Sequence, residues 1–178
     1  MKIRTLAGAG LGLILALAAG CTVQPLYDSS PERTGLGAPA VDLSSVAIDP
    51  VSTRYAQEVR NHLIFLLSGG AGEPASPRYA LDLTVTRSTT SSVQVQSGSE
   101  NEPTAGTVTM TGIYRLKDTA TGSVVANGRR NVSSSFDRPR QEYAVLRAER
   151  DAENRAAREL AESLRLAVAQ DMARLDKR

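Results

Sequence analysis

Residues 79–86 read Tyr-Ala-Leu-Asp-Leu-Thr-Val-Thr. Tyr79, Leu81, Leu83 and Val85 alternate with Ala80, Asp82, Thr84 and Thr86. A period of two with one polar face marks a strand that covers a core on one side only. Working outward, the pattern weakens through Val93 and Val95, and a polar turn region follows from Ser97 to Ala105, with Gly98, Asn101 and Pro103. Alternation resumes at Val108, Met110, Gly112, Tyr114 and Leu116. Asp118 to Gly122 is a tight connection, and a further strand starts at Val124 and Ala126 and ends near Phe136-Asp137. Such short connections make the neighbouring strands antiparallel. The serine clusters Ser88–Ser92 and Ser133–Ser135 read as exposed strand faces.

Each flank of this meander carries an amphipathic segment. Before it, Ala56, Val59, Leu63 and Leu66 or Leu67 recur at helical spacing and predict a helix over 53–68. Ser52 is the expected N-cap and Gly69-Gly70 the C-terminal stop. A short strand, Val41 to Ile48, precedes that helix and ends at Asp49-Pro50. After the meander, Gln141 to Leu175 contains no Gly or Pro, and Val145, Ala148, Ala152, Ala156, Leu160, Leu164, Val168, Met172 and Leu175 form one stripe. Unbroken, that helix would be about 50 Å long, so a bend or a frayed end is expected. Its arginines alternate with Glu149, Asp151, Glu153, Glu159 and Glu162, the pattern of a solvated, salt-bridged face. The order β-α-β-β-β-α predicts an α+β fold: a two-layer sandwich with two helices on one face of a four-stranded mixed sheet.

The N-terminus reads as a targeting segment. Lys2 and Arg4 precede an apolar run from Leu6 to Ala18 that is shorter than a membrane span and fits a secretory signal. Ala18-Ala19-Gly20 then leads into Cys21, the only cysteine of the chain. Small residues before a Cys resemble a bacterial lipobox. The expected organisation is a signal peptide at 1–20, a lipidated N-terminus and tether at 21–42 punctuated by Pro25, Pro31, Gly35, Gly37 and Pro39, and a folded domain at 43–178. With several acyl chains on Cys21, anchoring is stable. Thr22 after the Cys, rather than Asp, favours the outer membrane by resemblance to proteobacterial lipoproteins.

Charge and composition exclude several functions. The chain holds 21 basic and 19 acidic residues, with a pI near 8.9. The first twenty residues take Lys2 and Arg4 with them, so the remainder is formally neutral. A neutral chain with no Trp, two Phe and five Tyr has neither the field nor the stacking platform for nucleic acid. One Cys and one His build no zinc site. His62 lies beside the apolar stripe of the first helix and reads as a boundary residue. No nucleophile elbow, phosphate loop or paired carboxylates stand out. The sequence therefore reads as a non-enzyme without cofactor or metal. What remains is binding by the sheet face turned away from the helices, for which Arg87, Arg115, Arg129 and Arg130 are the expected outward cations. Arginine suits phosphate because its guanidinium donates in pairs.

Several short motifs together resemble a known family. Cys21-Thr22-Val23-Gln24-Pro25-Leu26-Tyr27 is similar to the Cys-Gly-Phe-x-Pro-Leu-Tyr start of the LptE lipoproteins, especially their alphaproteobacterial branch, with Thr22-Val23 in place of Gly-Phe. Arg54, Ala56 and Val59-Arg60-Asn61-His62-Leu63 resemble the family's first helix. Tyr79-Ala80-Leu81 opens the second strand, and Phe136-Asp137 precedes a long last helix, as in that family. The resemblance implies an outer-membrane lipoprotein of lipopolysaccharide (LPS) transport on the periplasmic face. It implies a plug and assembly chaperone of the LptD β-barrel, and direct binding of LPS through basic residues meeting lipid A phosphates. Arg130 falls near a basic position of the family's last strand, with Arg129 beside it. The loop Ser97–Ala105 has Glu100 and Glu102 and no basic residue, a departure from a basic loop. An auxiliary lipoprotein of an ABC-type lipid transporter would share the anchor, the size and the layering.

Overall fold

The computed structural model describes residues 42–94 and 103–176. Cys21, the signal and tether segments, Val95 and most of the Ser97–Ala105 turn lie outside the described residues. The elements are β1 (Val46–Ile48), α1 (Arg54–Ser68), β2 (Tyr79–Gln94), β3 (Pro103–Asp118), β4 (Val124–Asp137) and α2 (Glu142–Leu175). They form the expected α+β sandwich, with sheet order β1-β2-β3-β4. The helical crossover makes β1 parallel to β2, with Val46 opposite Tyr79 and Ile48 opposite Leu81. The later strands are antiparallel.

Three boundaries differ from the sequence reading. The first strand is shorter than Val41–Ile48, because Leu43–Ser45 form a 3-10 turn. Asp42 closes that turn by accepting from the Ser44 N–H at 3.1 Å and the Ser44 hydroxyl at 2.6 Å. Thr53, not Ser52, caps α1: its hydroxyl accepts from the Ala56 N–H. Gly69 ends the helix with a φ of 61°, a left-handed conformation that costs a residue without a Cβ little. Finally, β3 starts at Pro103, inside the stretch read as a turn, while β2 runs to Gln94 in line with the weak continuation through Val93. Threonine and serine there meet a paired neighbour, which suffices for strand formation without burial.

The α2 helix is unbroken over 34 residues. Its fully buried face is narrower in side chains than a leucine stripe: Ala152, Ala156, Ala157, Leu160, Ala161, Leu164, Ala167 and Val168. Alanines let the helix approach the sheet closely. At Gly112 of β3, an added Cβ would lie 3.1 Å from Leu164 Cδ1. Ala56, Val59, Leu63 and Leu67 of α1 complete the core with Leu81, Leu83, Val108, Met110, Tyr114 and Leu116. The two helices run in the same direction. Arg54 donates to Glu153 and Asn154 at one end, and Arg165 Nε donates to the Leu66 carbonyl at 3.1 Å at the other.

Candidate binding surfaces

Among the described residues, one face of the sheet is covered by both helices and the other is bare. The pairing register sorts the side chains between them. Residues in step with Leu81, Leu83 and Val85 face the helices, and this set includes Arg87 and Thr89. On β4, Arg130 is in step with the buried Val132, Ser134 and Phe136. Arg87 and Arg130 are therefore not outward cations. Arg87 pairs with Glu149 at 3.5 Å and with Glu153 on α2. Glu153 also takes Arg54 at 3.2 Å, and its side chain is 12% exposed, so this member of the helix's acidic series is buried rather than solvated. Ser134 departs from the exposed-serine reading in the same way: it is buried and accepts from Arg155 Nε at 3.2 Å.

Arg115 and Arg129 do lie on the bare face. Arg115 donates to Asp82 Oδ2 at 2.6 Å and Lys117 reaches the same oxygen at 3.4 Å. These cations, Arg115 first, hold the Asp82 carboxyl below the usual carboxylate range against the opposing effect of burial. Arg129 is exposed opposite Ile113, itself 44% exposed. Beyond this charged end, the rows Thr86–Thr111–Asn131, Ser88–Thr109–Ser133 and Thr90–Thr107–Ser135 carry no charge. Their side chains bond across strands: Asn131 Nδ2 to Thr111 at 3.1 Å, Thr109 with Ser133 at 2.9 Å, Thr107 with Ser135 at 3.3 Å.

Arg129 and Arg130 are thus neighbours in sequence that diverge in space. Arg130 Nη1 donates to the Arg129 carbonyl at 2.8 Å, and its charge acts on Tyr114 beneath the sheet. Tyr114, 1% exposed, donates its hydroxyl to Asp171 Oδ2 at 2.5 Å, and Arg174 donates to the other oxygen at 3.2 Å. Burial, then Asp171, push the Tyr114 phenol well above its ordinary value. One phosphate cannot be gripped by both arginines at once. The alternation of Val132, Ser134 and Phe136 already carried that information.

Two arginines that the sequence singled out only as motif members turn out to be structural. Arg54 ties α1 to α2. Arg60 binds the carbonyls of Ile48 and Asp49 and the carboxylate of Glu73. His62 sits beside Glu58 at 3.2 Å with its side chain 36% exposed, at the helix boundary as expected. Among the described residues no group of three His, Cys, Asp or Glu converges on a metal position. No described helix is long and apolar enough to cross a membrane.

Comparison with known proteins agrees with this architecture. A search of the curated proteins finds no match. Among solved structures, a lipoprotein from Caulobacter crescentus is 28% identical, with a TM-score of 0.60, covering 74% of this chain and 93% of that one. The rare lipoprotein B of Shewanella oneidensis shares the fold at 10% identity and a TM-score of 0.56, covering 74% and 96%. A minor lipoprotein of Acinetobacter baumannii does so at 12% and 0.52, covering 71% and 89%. The LptE lipopolysaccharide-assembly family model matches residues 42–168, from the turn before β1 into the last third of α2. With more than half of its length matched, the chain belongs to the LptE lipopolysaccharide-assembly family.

Proposed function

We propose that this chain is a lipid-anchored outer-membrane lipoprotein that acts as plug and assembly chaperone of an LptD-type β-barrel and contacts LPS. Membership in the LptE lipopolysaccharide-assembly family is the observation that carries the reading. The surface supports it. The chain is formally neutral beyond its first twenty residues, and its bare sheet face is mostly uncharged hydroxyls and amides. Such a face suits the polar interior of a large barrel. Cys21 would carry the acyl chains and residues 21–42 would tether the domain at 43–178 to the periplasmic face of the membrane. The role needs no catalysis.

Within this reading, LPS phosphates meet Arg129 on the bare face, where Arg115 and Lys117 add positive charge. Arg130 contributes from the other side of β4, where its charge reaches Tyr114. Charge reversal at both positions, Arg129→Glu with Arg130→Glu, is expected to weaken LPS binding while the fold persists. Unchanged binding would sink the phosphate contact. The central test is copurification with a large barrel followed by depletion. If depletion leaves the barrel mature and LPS export normal, the proposal is wrong. For the anchor, Cys21→Ser should abolish palmitate labelling, and surviving label would refute lipidation at Cys21.

A further inference from the structure

An unpaired strand edge invites another strand unless it is blocked. Two edge segments of this sheet are blocked. On β1, the Ile48 N–H that points away from β2 donates to Glu73 Oε1 at 2.9 Å. The Ile48 carbonyl accepts from Arg60 Nη2 at 2.8 Å, and Arg60 also holds Glu73 Oε2 at 2.7 Å. A side-chain pair thus saturates that edge. On β4, Arg129 and Arg130 put two adjacent cations in mid-strand, and charge deters strand addition.

The third segment is β2 above the end of β1, and among the described residues it is open. The Asp49 N–H takes the Leu81 carbonyl at 2.9 Å. By the two-residue period, the backbone groups of Leu83, Val85, Arg87 and Thr89 point the same way. Among the described residues no strand pairs with them. Every residue from Thr86 to Ser91 is exposed. The stretch contains no Pro or Lys, and its one charge, Arg87, is drawn to Glu149 and Glu153 on α2. With one face bare and one edge free, the stretch is held mainly by β3 and by the polar contacts of Arg87 and Thr89 with α2. At its lower end, an open groove of about 420 Å³ is lined by Val51, Ala56, Leu83 and Val85 together with Ser52, Thr53 and Thr84.

We propose that the β2 edge from Leu83 to Ser91 is a strand-addition site for an extended, uncharged segment of the barrel partner, lying in line with β1. The inference rests on the barrel-partner reading. Charge complementarity sets the occupant. Arg87, the one cation within Leu83–Ser91, is already paired within the chain, and the bare-face residues are Thr84, Thr86, Ser88 and Thr90. Arg138 meets only the upper end, donating to Ser91 Oγ at 3.0 Å. Along Thr84–Thr90 a charged segment would find no counter-ion, whereas Ser, Thr or Val would pair with these side chains. A small side chain such as Thr or Val at the lower end fits the mixed lining of the groove. A closed barrel has no free edge of its own, so the segment is a loop or tail of the partner.

Hydrogen exchange of the full lipoprotein, alone and copurified with its barrel, tests this. The amides of Val85, Arg87 and Thr89 are expected to slow at least tenfold in the complex. Thr89→Pro, which removes one edge donor, should cut barrel recovery at least tenfold. Thr89→Ala keeps that donor while also losing the hydroxyl bond to Glu149, 2.9 Å in the wild type, and should recover the barrel normally. If Thr89→Pro fails to fold, the exchange result decides alone. A complex that forms without protection of these amides overturns strand addition and leaves the barrel partnership standing. A wild-type chain that captures no barrel overturns both. Protection already present in the free chain means its own N-terminal segment, or at high concentration a second copy, holds the edge, and either overturns the inference.

Discussion

Replacing Tyr114 by Phe removes one hydroxyl and leaves the ring that fills the core beside Gly128. The hydroxyl donates to the Asp171 carboxylate at 2.5 Å. A hydrogen bond to a charged group contributes about 1.5–3 kcal/mol net. Asp171 keeps its bond from Arg174 and some access to water, its side chain being 16% exposed, so the cost at pH 8 should be near the lower value, about 1.5 kcal/mol. The pH dependence is more discriminating. The folded-state pKa of Tyr114 is raised above its ordinary value of 10.0. A raised pKa means that the folded chain holds the proton more tightly than the unfolded chain. The associated stability is complete below pH 10 and is lost as pH rises above it. Ionisation of the unfolded chain alone takes about 0.4 kcal/mol at pH 10 and about 1.4 kcal/mol at pH 11. Wild type and Tyr114→Phe should therefore differ by about 1.5 kcal/mol at pH 8 and converge near pH 11. Urea unfolding followed by far-UV circular dichroism measures both. A difference that stays constant from pH 8 to pH 11 would refute a buried, proton-holding Tyr114.

Three further outcomes are expected. Gly128→Ala places a Cβ 2.7 Å from the Tyr114 ring and hydroxyl, which are tied to Asp171 and cannot retreat, so urea unfolding should show a loss of about 1–3 kcal/mol. Leu160→Ala, at a fully buried site, should cost about 2–5 kcal/mol, while Leu146→Ala on the same helix, 64% exposed, should stay within about 0.5 kcal/mol. Asp82→Asn should cost about 0.5–1 kcal/mol at pH 7, since the pair with Arg115 is partly solvated. Because the Asp82 pKa is lowered, its contribution is present above the unfolded value of 3.8 and fades as pH falls below it, so mutant and wild type should match in acid.

The layers of this fold were legible because burial leaves a periodic trace. The stripe from Ala152 to Met172 and the alternation from Tyr79 to Val85 named the core-facing residues of α2 and β2. Errors arose where residue chemistry was read in place of period. Arg87 follows Leu81, Leu83 and Val85 at steps of two, which assigns it to the helix side, yet a cation suggests solvent. Its place on the helix side is made possible by Glu153, sixty-six positions away in sequence and invisible to any local window. Arg130 and Ser134 repeat the lesson on β4. The polar ends of β2 and β3, Thr86–Ser92 and Pro103–Thr107, carry almost no apolar trace, so their pairing was visible only in the structure. The short first strand turned on Asp42 closing a tight turn, a competition between side chain and backbone that composition does not rank.

The parallel helices impose an order of assembly. Arg54 meets Glu153 ninety-nine residues later, and Leu66 meets Arg165 at the same separation. Helix α1 is made early and its neighbour last. Until the C-terminal third exists, Val59, Leu63 and Leu67 lack a large part of their cover. Loop closure over such a span is slow compared with forming either helix. A chain emerging N-terminus first therefore waits with an apolar helix face open, and a stop codon anywhere before Leu160 should leave not a smaller domain but a sticky intermediate.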